Sequence, residues 1–268
     1  MSEANALRPG VTLDGVSKVF GREAAPVVAL ERVDLTIADG EFVAVVGPSG
    51  CGKSTLMRLI SRLSMPTTGR ITVFDDSSAK PPADMSIVFQ SHVLLAWRTI
   101  VENVLFPADM VGVSKTELRA RARELLTSVG LGEFTDRYPH ELSGGMKQRA
   151  AIARALLLEP RLLLMDEPFG ALDALTREQM RVDLEALWLK NRMTVLFITH
   201  SIDEAVLLAD RVIVMTPRPG RIERIMEIDM ARPRGLGARR NPEFLRKTEE
   251  ITEIFLSRGV LHGEAEPA

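Results

Sequence analysis

Four short aliphatic runs constrain this chain more than any other feature: 42–46 (FVAVV), 162–165 (LLLM), 195–198 (VLFI) and 212–215 (VIVM). Near-continuous runs of this kind are what parallel strands covered on both faces require. Helical patterns lie among them, at 53–63, 114–129, 145–158 and 177–190. The alternation of strand and helix predicts an α/β fold. The start of the chain differs. Residues 11–20 and 33–37 alternate apolar and polar, as half-exposed antiparallel strands do. Residues from about 92 to about 150 read as mostly helical, a subdomain inserted into the sheet. The stretch 231–240 (ARPRGLGARR) reads as a linker, and 241–257 has helical spacing rich in charge.

Composition narrows the classes. The chain has 268 residues, enough for a large core without disulfides or a structural metal. Lys plus Arg is 34 and Asp plus Glu is 36, a formal charge of −2, which argues against a strongly basic nucleic-acid binder. A single cysteine, Cys51, excludes an intrachain disulfide framework and suits a reducing compartment. No run of glycine and apolar residues exceeds the six at 42–47, whereas a spanning helix needs roughly 20. The opening MSEANALRPG lacks a basic start followed by an apolar stretch, so no signal peptide is expected. These features predict a soluble cytoplasmic protein.

Gly47, Pro48, Ser49, Gly50, Cys51, Gly52, Lys53, Ser54 and Thr55 spell GPSGCGKST, which fits G-x-x-x-x-G-K-[ST] between an expected strand and an expected helix. The glycines let the backbone curl so that successive N–H groups face a phosphate, and the helix N-terminus adds partial positive charge. Lys53 is placed to reach the β- and γ-phosphates of a nucleotide, and the Ser54 hydroxyl to bind Mg²⁺. Cys51 has no assignable base and reads as a small side chain in a tight turn, not a nucleophile.

The run 162–165 ends in Asp166 and Glu167. Ligands of open α/β sheets bind at the carboxyl ends of strands. Asp166 is therefore expected to face the Mg²⁺, directly or through water, and Glu167 to polarise the attacking water as general base or orienting group. A third element, LSGGMKQR (142–149), places Ser143, Gly144 and Gly145 at the start of an apolar helix, another anion-binding N-terminus. One chain thus carries two separate phosphate-binding helix ends, and a single nucleotide does not need both from the same subunit.

Together these elements resemble the ABC ATPase family. GPSGCGKST resembles its phosphate loop, LSGGMKQR its signature and LLLMDEP its magnesium and catalytic strand. Gln90 after SIVF is similar to the family's glutamine loop, Ala171-Leu172-Asp173 to its D-loop, His200 after FIT to its switch histidine, and Phe20 to its adenine-stacking aromatic. The motifs run in the family's order over residues 11–225.

The resemblance implies a P-loop NTPase (RecA-like) core with an antiparallel β-subdomain and an inserted helical subdomain. The chain would be a single ABC ATPase domain, with core at 11–91 and 151–225, helical subdomain at 92–150, and linker plus C-terminal helix at 231–268. The implied ligands are ATP and Mg²⁺, with Glu167, His200 and Gln90 catalytic and with Ser54, Gln90 and Asp166 at the metal. The implied assembly is a head-to-tail homodimer in which the phosphate loop of one subunit faces Ser143, Gly144 and Gly145 of the other, with Asp173 at the seam. The implied partners are separate transmembrane permease subunits and, indirectly, a periplasmic solute-binding protein, with no nucleic acid, on the inner face of the cell membrane.

The runs 165–177, 199–206 and 215–221, and LLAWRTI at 94–100, resemble the nitrate/sulfonate/taurine importer group. Trp97 reads either as part of the groove that receives a permease helix or as a core residue. The 241–257 helix packs on the core or assists the dimer. Arg232, Arg234, Arg239 and Arg240 read as a solvated linker, with anionic lipid as the other reading. His92, His140 and His262 belong to no motif. The alternatives in function are a soluble ABC ATPase of DNA repair or translation, disfavoured by the absence of sustained heptads between Lys53 and Ser143, and an export or lipid-transport cassette.

Overall fold

The computed structural model describes residues 8–21 and 25–261, so His262 and the end of the expected C-terminal segment lie outside the described residues. In chain order the elements are β1 (Pro9–Phe20), β2 (Val27–Ala38), β3 (Phe42–Val46), α1 (Lys53–Ile60), β4 (Thr68–Val73), β5 (Met85–Val88), α2 (Ile100–Val104), α3 (Phe106–Val111), α4 (Lys115–Ser128), α5 (Gly144–Leu156), β6 (Leu162–Asp166), α6 (Ala174–Asn191), β7 (Thr194–Ile198), α7 (Ile202–Leu208), β8 (Arg211–Met215), β9 (Ile222–Glu227) and α8 (Pro242–Ser257). They fall into two compact units, residues 1–83 with 193–268, and residues 84–192.

The first unit holds two sheets. In one, β1 lies between β2 and β4, antiparallel to both. Val11, Leu13 and Val16 of β1 and Leu30, Val33, Leu35 and Ile37 of β2 are buried, with polar residues between them facing out. The second β-strand begins at Val27, well before the expected residue 33, because its first turn-side residues VVAL are an unalternating run with Val27 and Val28 exposed. In the other sheet β3 lies between β7 and β8, parallel to both, and β9 pairs antiparallel with β8. Every residue of β3 and β7 is buried, as their continuous apolar sequences require. The β9 sequence IERIME buries only Met226, so no apolar run announces it.

Helix α1 stops at Ile60 because Arg62 takes a left-handed φ of 57°. The buried Arg62 guanidinium donates to Asp76 Oδ2 (2.7 Å), Ser78 Oγ (3.3 Å) and the carbonyls of Lys80 (2.8 Å) and Asp76. Within the largely exposed 231–240 stretch, Arg232 and Arg234 are not solvated cations. Arg234 is 2% exposed, Arg232 pairs with Asp210 at 2.8 Å, and Arg239 pairs with Asp203. Backbone carbonyls and acids in the first unit, invisible as partners in the sequence, take up these cations.

In the second unit β5 and β6 run parallel, Met85 opposite Leu162 and Val88 opposite Met165. The helical part begins at Ile100, not residue 92. Thr99 caps α2 in a reciprocal capping box with Glu102. Buried Asn103 accepts from Leu95 N (2.6 Å) and donates to the carbonyls of Leu95, Arg98 and Thr99, which shapes the preceding loop. That loop leaves Trp97 74% exposed, so it is not a core residue.

The Ser78 N–H, the Arg62 guanidinium and the Ser78 hydroxyl hold the Asp76 carboxyl down to about 2. A depressed carboxylate stabilises the fold above its ordinary pKa of about 3.9, and that contribution is lost as pH falls through its folded value. Asp76→Asn is expected to lower the urea midpoint at pH 7, with the gap to wild type shrinking to roughly half by pH 3. An equal gap at both pH values would refute this.

Candidate functional site

In the first unit the candidate residues gather at the carboxyl edge of its parallel strands. Val45 lies opposite Ile198, and Val46 opposite Val214. The segments that follow, 47–52, 199–201 and 216–221, therefore leave the sheet on the same edge. A Cβ on Gly47 would lie 2.8 Å from Cys51 Sγ and 3.1 Å from Met215 Cβ. Only glycine at 47 and a small residue at 51 fit. Gly52 has a φ of 104°, and a Cβ there would meet Leu30 Cδ2 at 2.7 Å and the Ala29 carbonyl at 2.9 Å. Cys51 is buried and its thiol is pushed up by that burial, which keeps it protonated and inert.

Helix α1 starts in this loop with no side-chain cap and no acid in its first turn. Its first N–H groups thus remain for an anion. Lys53 Nζ donates to the carbonyls of Gly47 (2.7 Å) and Pro48 (3.1 Å), which holds the ammonium inside the curl. Ser54 is exposed beside it, and Thr55 follows half-buried. Ser49 and Gly50 form the exposed tip. Phe20 ends β1 half exposed, with Lys18 Nζ 5.0 Å from its ring centre.

His200 is exposed at the same edge, just past β7. Its neighbours hold it. Thr199 N donates to the Val45 carbonyl (3.2 Å), and Thr199 Oγ1 donates to Glu204 Oε2 (2.5 Å) while accepting from Ser201 N (3.0 Å). Ser201 caps α7 by accepting from Glu204 N at 3.3 Å. The 199–206 run contains Thr199, Ser201 and Glu204 without revealing this role, although Ser-x-x-Glu before an apolar run is a helix-start signal.

The second unit gathers the acids and the second helix end. Two residues beyond the Val88–Met165 pair stand Gln90 and Glu167, and Gln90 Nε2 donates to Glu167 Oε2 at 3.3 Å. Asp166 closes β6 half-buried beside them. Glu167 has a φ of 45°, an uncommon conformation for a residue with a side chain and one that clusters at functional sites. Ser143 caps α5, its Oγ accepting from Met146 N at 3.3 Å. A Cβ on Gly144 would meet nothing, and one on Gly145 would touch Leu172 at 3.0 Å. The signature helix end therefore stands open, next to the residue that precedes Asp173. Asp173 caps α6 by accepting from Thr176 N at 3.0 Å, and hydrogen bonds from Thr176 hold its carboxyl below the usual range.

Two residues of α5, Gln148 inside the signature run and Arg154 beyond it, strap the Gln90 loop, a role the motif does not reveal. Gln148 Nε2 donates to the Phe89 carbonyl (3.3 Å), and Arg154 donates to the carbonyls of Val93 (2.7 Å) and His92 (3.2 Å). Mg²⁺ takes hard oxygen ligands and keeps water and phosphate partners. In the second unit the Asp166 carboxylate and Gln90 Oε1, left over when Nε2 donates to Glu167, are oxygens of that kind, and in the first unit the Ser54 hydroxyl is another.

The ABC transporter family model matches residues 30–170. The chain belongs to the ABC transporter family. It is an ATP hydrolase of that family with a P-loop NTPase fold. It is 45% identical over 261 residues to the taurine import ATP-binding protein of Rhizobium johnstonii, an alignment covering 94% of this chain and 99% of the relative. It is 43% identical to the nitrate import ATP-binding protein of a Synechocystis species (93% and 96% covered) and 47% identical to a bicarbonate transport ATP-binding protein of the same source (84% and 80%). A solved ATP-binding cassette, a dimer in a post-hydrolysis state with ADP and phosphate, superposes with a TM-score of 0.74 at 34% identity. That match covers 82% of this chain and all of the other.

Gly220 packs against the 47–52 loop. Its N–H donates to the Ala29 carbonyl (3.1 Å), its carbonyl accepts from Glu31 N (3.0 Å), and the Cys51 carbonyl occupies the space a Cβ would need. Overpacking costs about 1–3 kcal/mol. Gly220→Ala is expected to weaken ATP binding about tenfold by displacing the loop, while Gly237→Ala, in open space, leaves it unchanged. Wild-type affinity in a folded Gly220→Ala protein, measured by titration calorimetry, would refute this.

Proposed function

We propose that this chain is the ATP-hydrolysing subunit of a membrane importer for a small solute such as nitrate, a sulfonate, taurine or bicarbonate. Similarity over more than nine-tenths of the chain to two import ATP-binding proteins, and over 84% of it to a bicarbonate transport ATP-binding protein, carries that reading. Among the described residues no helix is long and apolar enough to cross a membrane, which supports separate transmembrane subunits. Trp97, exposed just beyond the Gln90 loop, offers those subunits an aromatic contact. The ATPase then works on the inner face of the cell membrane, and a periplasmic solute-binding protein delivers the cargo.

In this reading two copies associate head to tail around two ATP molecules. Lys53 and N–H groups of the glycine loop hold the β- and γ-phosphates, and Phe20 stacks on adenine. Ser143, Gly144 and Gly145 of the opposite copy present the open α5 N-terminus to the γ-phosphate. That explains why one chain carries two phosphate-binding helix ends. Ser54, Asp166 and Gln90 hold Mg²⁺, which neutralises charge on the phosphate oxygens. Glu167 orients and deprotonates the attacking water, Gln90 fixes the Glu167 carboxylate, His200 contacts the γ-phosphate, and Asp173 lies at the seam. The free energy of closing the dimer, released again after hydrolysis, is what the transmembrane subunits use.

Glu167→Gln keeps the shape of the side chain and removes its basicity. General-base catalysis contributes about 10²–10⁴-fold. The variant is expected to lose at least about 100-fold in kcat, to retain ATP binding, and to elute as an ATP-dependent dimer on gel filtration. Wild-type hydrolysis by this variant would overturn the assignment.

A further inference from the structure

The C-terminal segment is bonded to α7, the helix that starts two residues after His200. Helix α7 has seven residues, and beyond Ala205, whose carbonyl accepts from Ala209 N, its last-turn carbonyls lack helical partners. The buried Arg234 guanidinium supplies a donor to one of them, Val206, and to the carbonyl of the capping residue Ala209. Its Nη1 donates to the carbonyls of Ala209 (2.6 Å) and Val206 (3.1 Å), and its Nη2 to those of Ile228 (3.2 Å) and Met230 (3.1 Å). Arg232 adds a donor to the Leu208 carbonyl (2.6 Å) and binds Asp210 through two nitrogens, at 2.8 and 3.1 Å. Asp210 in turn accepts from Phe42 N at 2.9 Å, the first residue of the strand that leads into the phosphate loop. Arg239 pairs with Asp203 in the first turn of α7. Helix α8, which buries Phe244, Ile251 and Phe255, packs against α7. At the other end of α7 lie the Thr199, Ser201 and Glu204 bonds that flank His200.

A seven-residue helix held at both ends and along one side moves only as a unit with what holds it. The geometry points to the C-terminal segment as a brace that sets the position of His200, with Arg234 and the Arg239–Asp203 pair as positioning residues for hydrolysis. The inference rests on the reading of His200 as the γ-phosphate contact. None of these arginines need touch ATP. A positioning defect lowers kcat and leaves the phosphate loop, hence ATP affinity, intact.

The test uses the full chain. Arg234→Lys keeps the charge but offers a point-charge donor in place of a planar fork. Arg239→Ala and Asp203→Asn disrupt an exposed pair and threaten folding little. Steady-state ATPase assays are expected to show kcat down about tenfold for Arg234→Lys and about threefold for the pair variants. KM for ATP stays within twofold throughout. Combining Arg239→Asp with Asp203→Arg is expected to restore kcat. In single-turnover hydrolysis the same substitutions placed on His200→Ala are expected to add no further loss, because both act through one contact. An unchanged kcat in Arg239→Ala overturns the brace, whether or not Arg234→Lys folds. So does an equal loss in the His200→Ala background, or a loss that appears only in KM. Full activity of His200→Ala itself would instead overturn the underlying reading of the histidine. Impaired His200→Ala beside fully active brace variants would overturn the brace alone.

Discussion

The parallel pairing of β3 with β7 and β8 is the constraint on which the first unit's candidate site residues depend. Each strand contributes five residues, and those of β3 and β7 are all buried. Burying an aliphatic side chain is worth about 1.5–3 kcal/mol, so a slip in register would forfeit several such terms at once. With register fixed, three chain segments must leave at one edge, and they pack on each other at backbone distance. Gly47 rests on Cys51 and Met215, Gly52 on Leu30 and Ala29, and Gly220 on the Cys51 carbonyl. The phosphate loop therefore does not hold its curl alone. It is moulded from outside by β2 and by the turn after β8.

Net charge is a poor guide to such a site. The chain is slightly acidic, yet it binds a polyanion, because the attraction comes from aligned N–H groups and one buried ammonium. The three helix starts differ in how they treat those N–H groups. Helix α1 has no side-chain cap, which leaves its donors to the loop. Helix α5 is capped by Ser143, which consumes one donor and is itself neutral. Helix α6 is capped by the charged Asp173, which cancels the partial positive end. Of the three, α1 and α5 can attract phosphate, and the sequence motifs mark the same two.

The parts of this arrangement that were legible in the sequence are those where local chemistry admits one solution. The buried parallel strands, the strand–loop–helix at Lys53 and the strand ending in Asp166 were readable because apolar runs and glycine spacing leave little choice. Strand β9 was not, because one buried face in six residues of mixed charge gives no period. Nor was the early start of β2 at Val27, where exposed valines break the alternation. At the site, the motif residues were readable and their supports were not. Gln148 and Arg154 act through backbone carbonyls of residues about 60 positions away, and a carbonyl has no letter in the sequence.

The basic tail is the sharpest case of that limit. Four arginines in ten residues suggest a solvated segment, because arginine is seldom fully buried without a partner. For Arg232 and Arg234 the partners are mostly main-chain oxygens at the end of a short helix and along the chain after β9. A lysine could satisfy such a cluster only in part, with three donors around one point. The guanidinium fork presents five donors in a plane, and carbonyls converging from two segments match that plane. Burying this charge is costly unless every donor is engaged, so the cluster stays formed only while α7 and the 228–234 segment keep their places. The same property that hides Arg234 from a sequence reading makes it a stringent reporter of where α7 sits.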